Sequence, residues 1–273
     1  MNMLTVTILV DNYADASLNP EHGLSLWLDF GDKQVLFDTG QTDIVLKNAE
    51  LLGINLNHAD AIVLSHGHYD HTGGLPSVLK IAPNAKIYLH PAATESKFSQ
   101  KPSGMKLVGM SISTKESLEN HKTIWTATPT LIFSGMSITG QVPRTNDFEN
   151  TGGSFFLDQD AQRPDELLDD QTLFIESAKG LIVIFGCAHS GVVNILDYIS
   201  KITGKNKIYA VIGGMHLLNA SDIRIARTIE VLKKYDIQKI IPLHCTGQKA
   251  VQEIRKVFGE AYMALQAGIK IFF

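Results

Sequence analysis

The feature that most limits how this chain can fold is its alternation of short apolar runs with amphipathic segments. Asp60–Ser65 (DAIVLS), Gly180–Phe185 (GLIVIF), Lys207–Ile212 and Lys239–Leu243 are short and largely apolar, as strands buried in a sheet require. Between the later runs lie helical patterns. Ser221–Tyr235 places Ile225, Ile229 and Leu232 on one face behind Ser221 as N-cap, and Val192–Ile202 and Gln248–Phe258 fill the other gaps. Nearer the start, Thr5–Val10 and Leu24–Phe30 read as strands, and Gly31-Asp32-Lys33 turns the second into Gln34–Asp38 as a hairpin. Thr42–Leu52 reads as a helix closed by Gly53, followed by a helix near Pro76–Ile81 and strands at Lys86–His90 and Ile269–Phe273. The expected class is α/β (α+β in some schemes), with two similar β/α halves around one core. Residues 92–170 are rich in Ser, Thr, Gly, Pro and Asp and have weak periodicity, so they read as loops or insertions over the site. The expectation is a single domain over 1–273.

Composition enters as a set of exclusions. The chain has 273 residues, a length compatible with one large domain or two small ones, and enough to bury a core without staples. With 24 basic and 28 acidic residues the net charge is −4, so no global basic field attracts nucleic acid or anionic lipid. Two cysteines, Cys187 and Cys245, make no disulfide framework. The N-terminal apolar run has no Lys or Arg before it, alternates with Thr and stops at Asp11, which reads as a strand rather than a signal peptide. A cytoplasmic protein with a small-molecule substrate, without nucleic-acid or membrane partners and of open oligomeric state, is expected.

Three of the ten histidines fall in one short segment, Ser65-His-Gly-His-Tyr-Asp-His-Thr-Gly-Gly74. It begins where the strand Asp60–Ser65 ends. In an extended run His66 and His68 point the same way and can bind one ion, while Asp70 and His71, past a turn allowed by Gly67, Gly73 and Gly74, can serve a second. Imidazole and carboxylate suit Zn²⁺, Mn²⁺ or Fe, and two neighbouring ions can activate a water as nucleophile. Packing gives such a cluster no use, so two divalent ions, Zn first and Mn or Fe as alternatives, are the expected cofactors.

His66-Gly-His-Tyr-Asp-His71 resembles the HxHxDH signature of the metallo-β-lactamase superfamily, and Leu36-Phe-Asp-Thr-Gly40 resembles the strand and turn that lie upstream of it there. The resemblance covers nearly the whole chain and implies a four-layer αββα sandwich. Further stretches, SHGHYDHTGGL, GQVPR, DDQTLF, GCAHSGVVN, GGMHL and PLHCTG, are similar to the branch named for 7,8-dihydropterin-6-methyl-4-(β-D-ribofuranosyl)-aminobenzene-5′-phosphate synthase. The superfamily pattern implies two more ligands from the second half. His189, after the strand Gly180–Phe185, would join His66 and His68, and His244, ending KIIPLH, would join Asp70 and His71. The chain departs from the pattern where many members bridge the ions with an Asp in a Gly-Asp pair. Here Gly186-Cys187 stands at such a place, so Cys187, His216 or solvent alone is left for that role, with a substrate contact as the alternative for His216 and Cys187. No His-Thr-Pro-Gly stretch carries His189.

Other residues receive smaller roles. Asp38-Thr39-Gly40 is the one DTG of the chain, too few for an aspartic protease, and Asp38 is expected to hold the metal loop by accepting hydrogen bonds. Asp11 has a similar role or that of a turn residue, and Arg144 is a candidate clamp for a substrate anion. His22, His58, His90 and His121 show no partner pattern. The expected function is dinuclear metal-dependent hydrolysis of a small, phosphorylated or pterin-related substrate, with Asp70 receiving the nucleophile's proton. The alternatives are a condensation of the synthase type implied by the branch, thioester or lactone cleavage, and a non-catalytic metal-binding module.

Overall fold

The computed structural model describes residues 3–273, and the apolar runs of the sequence emerge in it as central strands of two sheets. Each sheet belongs to its own unit. The first unit comprises the chain up to Trp125, Phe156–Arg163 and Gln266–Phe273, and the second comprises Thr126–Phe155 and Pro164–Leu265.

In the first unit run β1 (Leu4–Val10), β2 (Ser25–Phe30), β3 (Lys33–Phe37), α1 (Ile44–Leu51), β4 (Ala61–Val63), the single turn α2 (Tyr69–Thr72), α3 (Leu75–Ile81) and β5 (Lys86–Leu89). A hairpin of β6 (Phe98–Lys101) and β7 (Gly104–Leu107), α4 (Ile112–Glu119) and β8 (Thr123–Trp125) follow. β1, β2 and β3 are antiparallel, and β3, β4, β5 and β8 are parallel. Leu36, Ile62, Leu64, Ile87 and Leu89 pack with Val45, Leu75 and Val78 of the helices in one apolar cluster.

The second unit repeats this plan. Its sheet begins with β9 (Thr130–Phe133), β10 (Met136–Ile138), β12 (Leu173–Ser177) and β13 (Gly180–Phe185), while the two-residue strand β11 (Phe155–Phe156), between β10 and β12 in the chain, falls at the boundary of the two units and outside that sheet. α5 (Val192–Thr203), β14 (Ile208–Gly214), α6 (Asp222–Lys234), β15 (Lys239–Leu243) and α7 (Gln248–Phe258) alternate after that. β9, β10, β12 and β13 are antiparallel, whereas β13, β14 and β15 are parallel, as β-α-β crossovers require. The helices bury Ile195, Ile199, Ile225, Ile229 and Ile254 against these strands. The chain ends in β16 (Lys270–Phe272), which returns to pair antiparallel with β1 of the first unit.

Two expectations need correction. Residues 92–170 hold more than loop: they contain β6 to β10, β11 and α4, and β8 and β9 are edge strands of the two large sheets. Edge strands with exposed residues such as Trp125 and Leu131 lack the apolar signature that marks central ones. Gly73 and Gly74, read as turn residues, have φ of −68° and −75°, which any residue adopts. Glycine is needed there because a Cβ would lie 2.1 Å from the Gln41 carbonyl oxygen at Gly73, and 2.2 Å from that of Thr39 at Gly74. Among the described residues no helix is long and apolar enough to cross a membrane.

Candidate metal centre

In both units the chemistry-bearing side chains stand just past the C-terminal ends of parallel strands, where an α/β sheet exposes its functional groups. In the first unit Asp38 follows β3, and His66 to His71 follow β4. Asp38, His66 and His71 are fully buried, and His68 and Asp70 nearly so.

Asp38 organises this half. Its Oδ1 accepts the Ser65 amide at 2.7 Å, and its Oδ2 accepts both the Ser65 hydroxyl and the His71 Nδ1–H, each at 2.7 Å. A carboxylate has no proton to give, so the Ser65 hydroxyl proton points at Asp38, and the Ser65 oxygen accepts the His66 Nδ1–H at 2.9 Å. One carboxylate therefore fixes the tautomer of two imidazoles and leaves the Nε2 lone pair of each for a cation, the arrangement that orients metal-binding histidines. His66 Nε2 lies 3.0 Å from His68 Nδ1, close to the ~3.3 Å separating two nitrogens bound at ~2.0–2.1 Å to a tetrahedral ion. His71 Nε2 lies 3.9 Å from Asp70 Oδ2.

The motif backbone is held from its own unit. The Tyr69 amide donates to the Val108 carbonyl at 2.9 Å, and His68 bridges Gly109. Gly67 lies so close to Ala93 that a Cβ would stand 2.1 Å from its carbonyl oxygen. His22, which showed no partner pattern in the sequence, places Nε2 3.2 Å from Asp70 Oδ2. No local signal could have found this contact, because it depends on how the loop after β1 folds back. Asp11 accepts the Tyr13 amide at 3.4 Å, a turn contact.

In the second unit Cys187, His189, His216 and His244 follow β13, β14 and β15. His216 and His244 have φ of 44° and 49°, a left-handed backbone that histidine seldom adopts and that clusters at functional sites. His189 donates Nδ1–H to the Thr151 carbonyl at 2.8 Å, which again leaves Nε2 for a cation, and its ring centroid lies 4.1 Å from that of His216. Cys187, His189 and His216 bring one ligand atom each within 4.8 Å of one another, and Cys187, His244 and Cys245 do the same. The two sulfurs are 3.3 Å apart. Burial pushes the Cys245 thiol up, but a hydrogen bond with Cys187, then the His244 charge and the interaction with His216, together hold it well below its usual range. Imidazole, carboxylate and thiol are donors that suit divalent transition metals, so both halves fit the expected cofactor.

Arg144, expected to clamp a substrate anion, has other partners. Its Nη1 donates to the His189 carbonyl at 2.7 Å and its Nη2 to the Glu166 carbonyl at 2.8 Å, so it ties down the main chain that carries His189. Glu149 and Asn194, not singled out in the sequence, hold the same loop. Glu149 accepts the Val193 and Asn194 amides at 2.9 Å each, capping α5 from outside the helix, and Asn194 Oδ1 accepts the Thr145 amide at 2.8 Å. Asp170 accepts the Ser190 amide at 2.7 Å, and burial pushes its carboxyl up to about 6.

Residues 18–198 match the family model of the metallo-beta-lactamase superfamily. Over 97% of this chain and 95% of the relative, the sequence is 35% identical to a 7,8-dihydropterin-6-methyl-4-(β-D-ribofuranosyl)-aminobenzene-5′-phosphate synthase of Methanocaldococcus jannaschii. A solved structure described as a metal-dependent hydrolase of the beta-lactamase superfamily superposes with a TM-score of 0.85 at 31% identity, covering 98% of both chains. Zn²⁺-bound PqqB from Methylobacterium extorquens, at 13% identity and a TM-score of 0.59 over 98% of this chain and 99% of that one, shares the fold.

Proposed function

The chain belongs to the metallo-beta-lactamase superfamily, and from that premise we propose that it is a metal-dependent hydrolase of a small phosphorylated substrate. The proposed ligands of two divalent ions are His66, His68, Asp70 and His71 together with His189 and His244, with Cys187 or His216 as a further ligand. The observation that carries this reading is the Asp38 network, in which one buried carboxylate turns the Nε2 atoms of His66 and His71 into lone-pair donors. Zinc is the first choice for such donors, with manganese and iron next.

Divalent ions, when bound, supply Lewis acidity that brings the pKa of water towards neutrality and polarises the bond to be cleaved. The protein's own groups do the rest. Asp70 Oδ2, within 3.9 Å of His71 Nε2 and 3.2 Å of His22 Nε2, orients the attacking water and receives its proton. Asp38 and the Thr151 carbonyl keep the imidazoles in the metal-binding tautomer while this happens. A phosphorylated substrate is supported by the name of the M. jannaschii relative, and hydrolysis by the description of the solved structure at 31% identity. Two cysteines kept as thiols support a cytoplasmic setting.

A second reading, the condensation that the M. jannaschii relative is named for, is favoured by a similarity that spans nearly both chains. Both readings are tested together. Metal-loaded protein and His68→Ala are screened against phosphate mono- and diesters, lactones and thioesters, and against a pterin precursor with a ribosylaminobenzene phosphate. Turnover of an ester, lost in His68→Ala, supports the hydrolase. Product formed only from the paired substrates selects the synthase reading and overturns hydrolysis.

A further inference from the structure

We propose that a polar pocket within the second unit, built around Arg224, seats the phosphate group of the substrate. The inference deepens the reading of a phosphorylated substrate given above and rests on it. The pocket has a volume of about 480 Å³, and Asn150, Thr151, Ser154, Asn219, Ser221 and Arg224 are among its lining. That volume holds a phosphate together with the sugar or ring that carries it.

Arg224 is the unusual member. It is only 5% exposed, and its Nη1 donates to Asn150 Oδ1 at 2.7 Å, but its Nε and Nη2 are buried with no hydrogen-bond partner. Buried polar groups are almost always satisfied, and a guanidinium left with open N–H groups is among the costliest exceptions. The carboxylate whose charge acts on Arg224 is Glu149, and its oxygens are engaged by the Val193 and Asn194 amides and by Asn146 Nδ2. A planar fork of N–H donors fits a phosphate oxygen pair.

The surroundings agree. Arg224 sits in the first turn of the thirteen-residue helix α6, capped by Ser221, so positive helix-end potential reaches the pocket. The one acid in that turn, Asp222, is paired with Lys249. The pocket also adjoins the candidate metal ligands of this unit. The Thr151 carbonyl holds His189, and a Cβ on Gly152, which lines the same pocket, would stand 2.1 Å from His216 Cδ2. A phosphate anchored on Arg224 would leave the rest of the molecule beside those histidines.

The test is calorimetric titration of metal-loaded protein with ribose 5-phosphate, ribose and inorganic phosphate, for wild type, Arg224→Gln, Asn219→Ala and His71→Ala. The expected result is that ribose 5-phosphate binds at least tenfold more tightly than either ribose or inorganic phosphate. Arg224→Gln weakens it at least tenfold with metal content and melting temperature unchanged, and Asn219→Ala, at an exposed position, weakens it several-fold even if the arginine variant fails to fold. Binding that persists in His71→Ala after its metal falls supports the pocket independently of the metal reading. Binding that disappears with the metal, or that ignores both Arg224→Gln and Asn219→Ala, overturns the proposal. Inorganic phosphate binding as tightly as ribose 5-phosphate also overturns it as a substrate site.

Discussion

At the scale of single residues, Asp38 has the widest reach. It is one bond from His71 and one hydroxyl from His66, so Asp38→Asn disturbs both rings while removing little volume. The expected outcome is a loss of metal affinity of about 10–100-fold, measured by competition with a chromophoric chelator. Unchanged affinity would mean that the network is structural only. Its neighbours show what a sequence reveals at this scale. His66, His68, Asp70 and His71 were legible because they are local in the chain and follow a recognisable strand. His22 was not, since its contact with Asp70 crosses a loop whose path no residue pattern dictates. The two carbonyl partners of Arg144 were not legible for a related reason: an arginine in a polar loop suggests an anion, and only the folded backbone brings the His189 and Glu166 carbonyls to it.

At the scale of elements, α5 is fastened from outside. Its first amides are capped by Glu149, an almost fully buried residue of the segment between β10 and β11. Glu149→Ala leaves those amides and Asn146 without their acceptor and is expected to cost about 2–3 kcal/mol, seen as a drop of several degrees in melting temperature. No change would show that water replaces the carboxylate. The far end of α6 offers a pH test. Tyr235 donates its hydroxyl to Asp197 on α5 at 2.6 Å, and burial, then that bond and the Asp197 charge, raise its pKa well above the usual tyrosine value. The folded state holds this proton more tightly than the unfolded one, so its stability is intact below the ordinary tyrosine range and is lost as pH rises beyond it. Tyr235→Phe is expected to flatten that alkaline decline in denaturant titrations, and an unaltered slope would remove Tyr235 as its source. The central strands and amphipathic helices were readable because burial imposes period and length on them. β6 to β10 were not, since exposed edges and short pairings place few demands on residue type.

For the whole molecule, the two units share one design, an antiparallel half and a parallel half, with chemistry at the parallel ends. The β/α alternation predicted two such halves, but it could not show which return strand closes the first sheet, because β16 is a long-range partner of β1. A ligand that binds only the folded state stabilises it by about 2.7 kcal/mol at a hundredfold excess over its dissociation constant. Stripping the protein with a chelator is therefore expected to lower its melting temperature, and restoring zinc to recover it. An unresponsive melting curve would speak against tight metal binding. The most direct test of the account is elemental analysis of the purified protein after reconstitution, beside His66→Ala and His189→Ala. Close to two equivalents of zinc, manganese or iron in the wild type, falling by one or more in each variant, is the predicted result. Two equivalents retained in both variants, or none in the wild type, would contradict it.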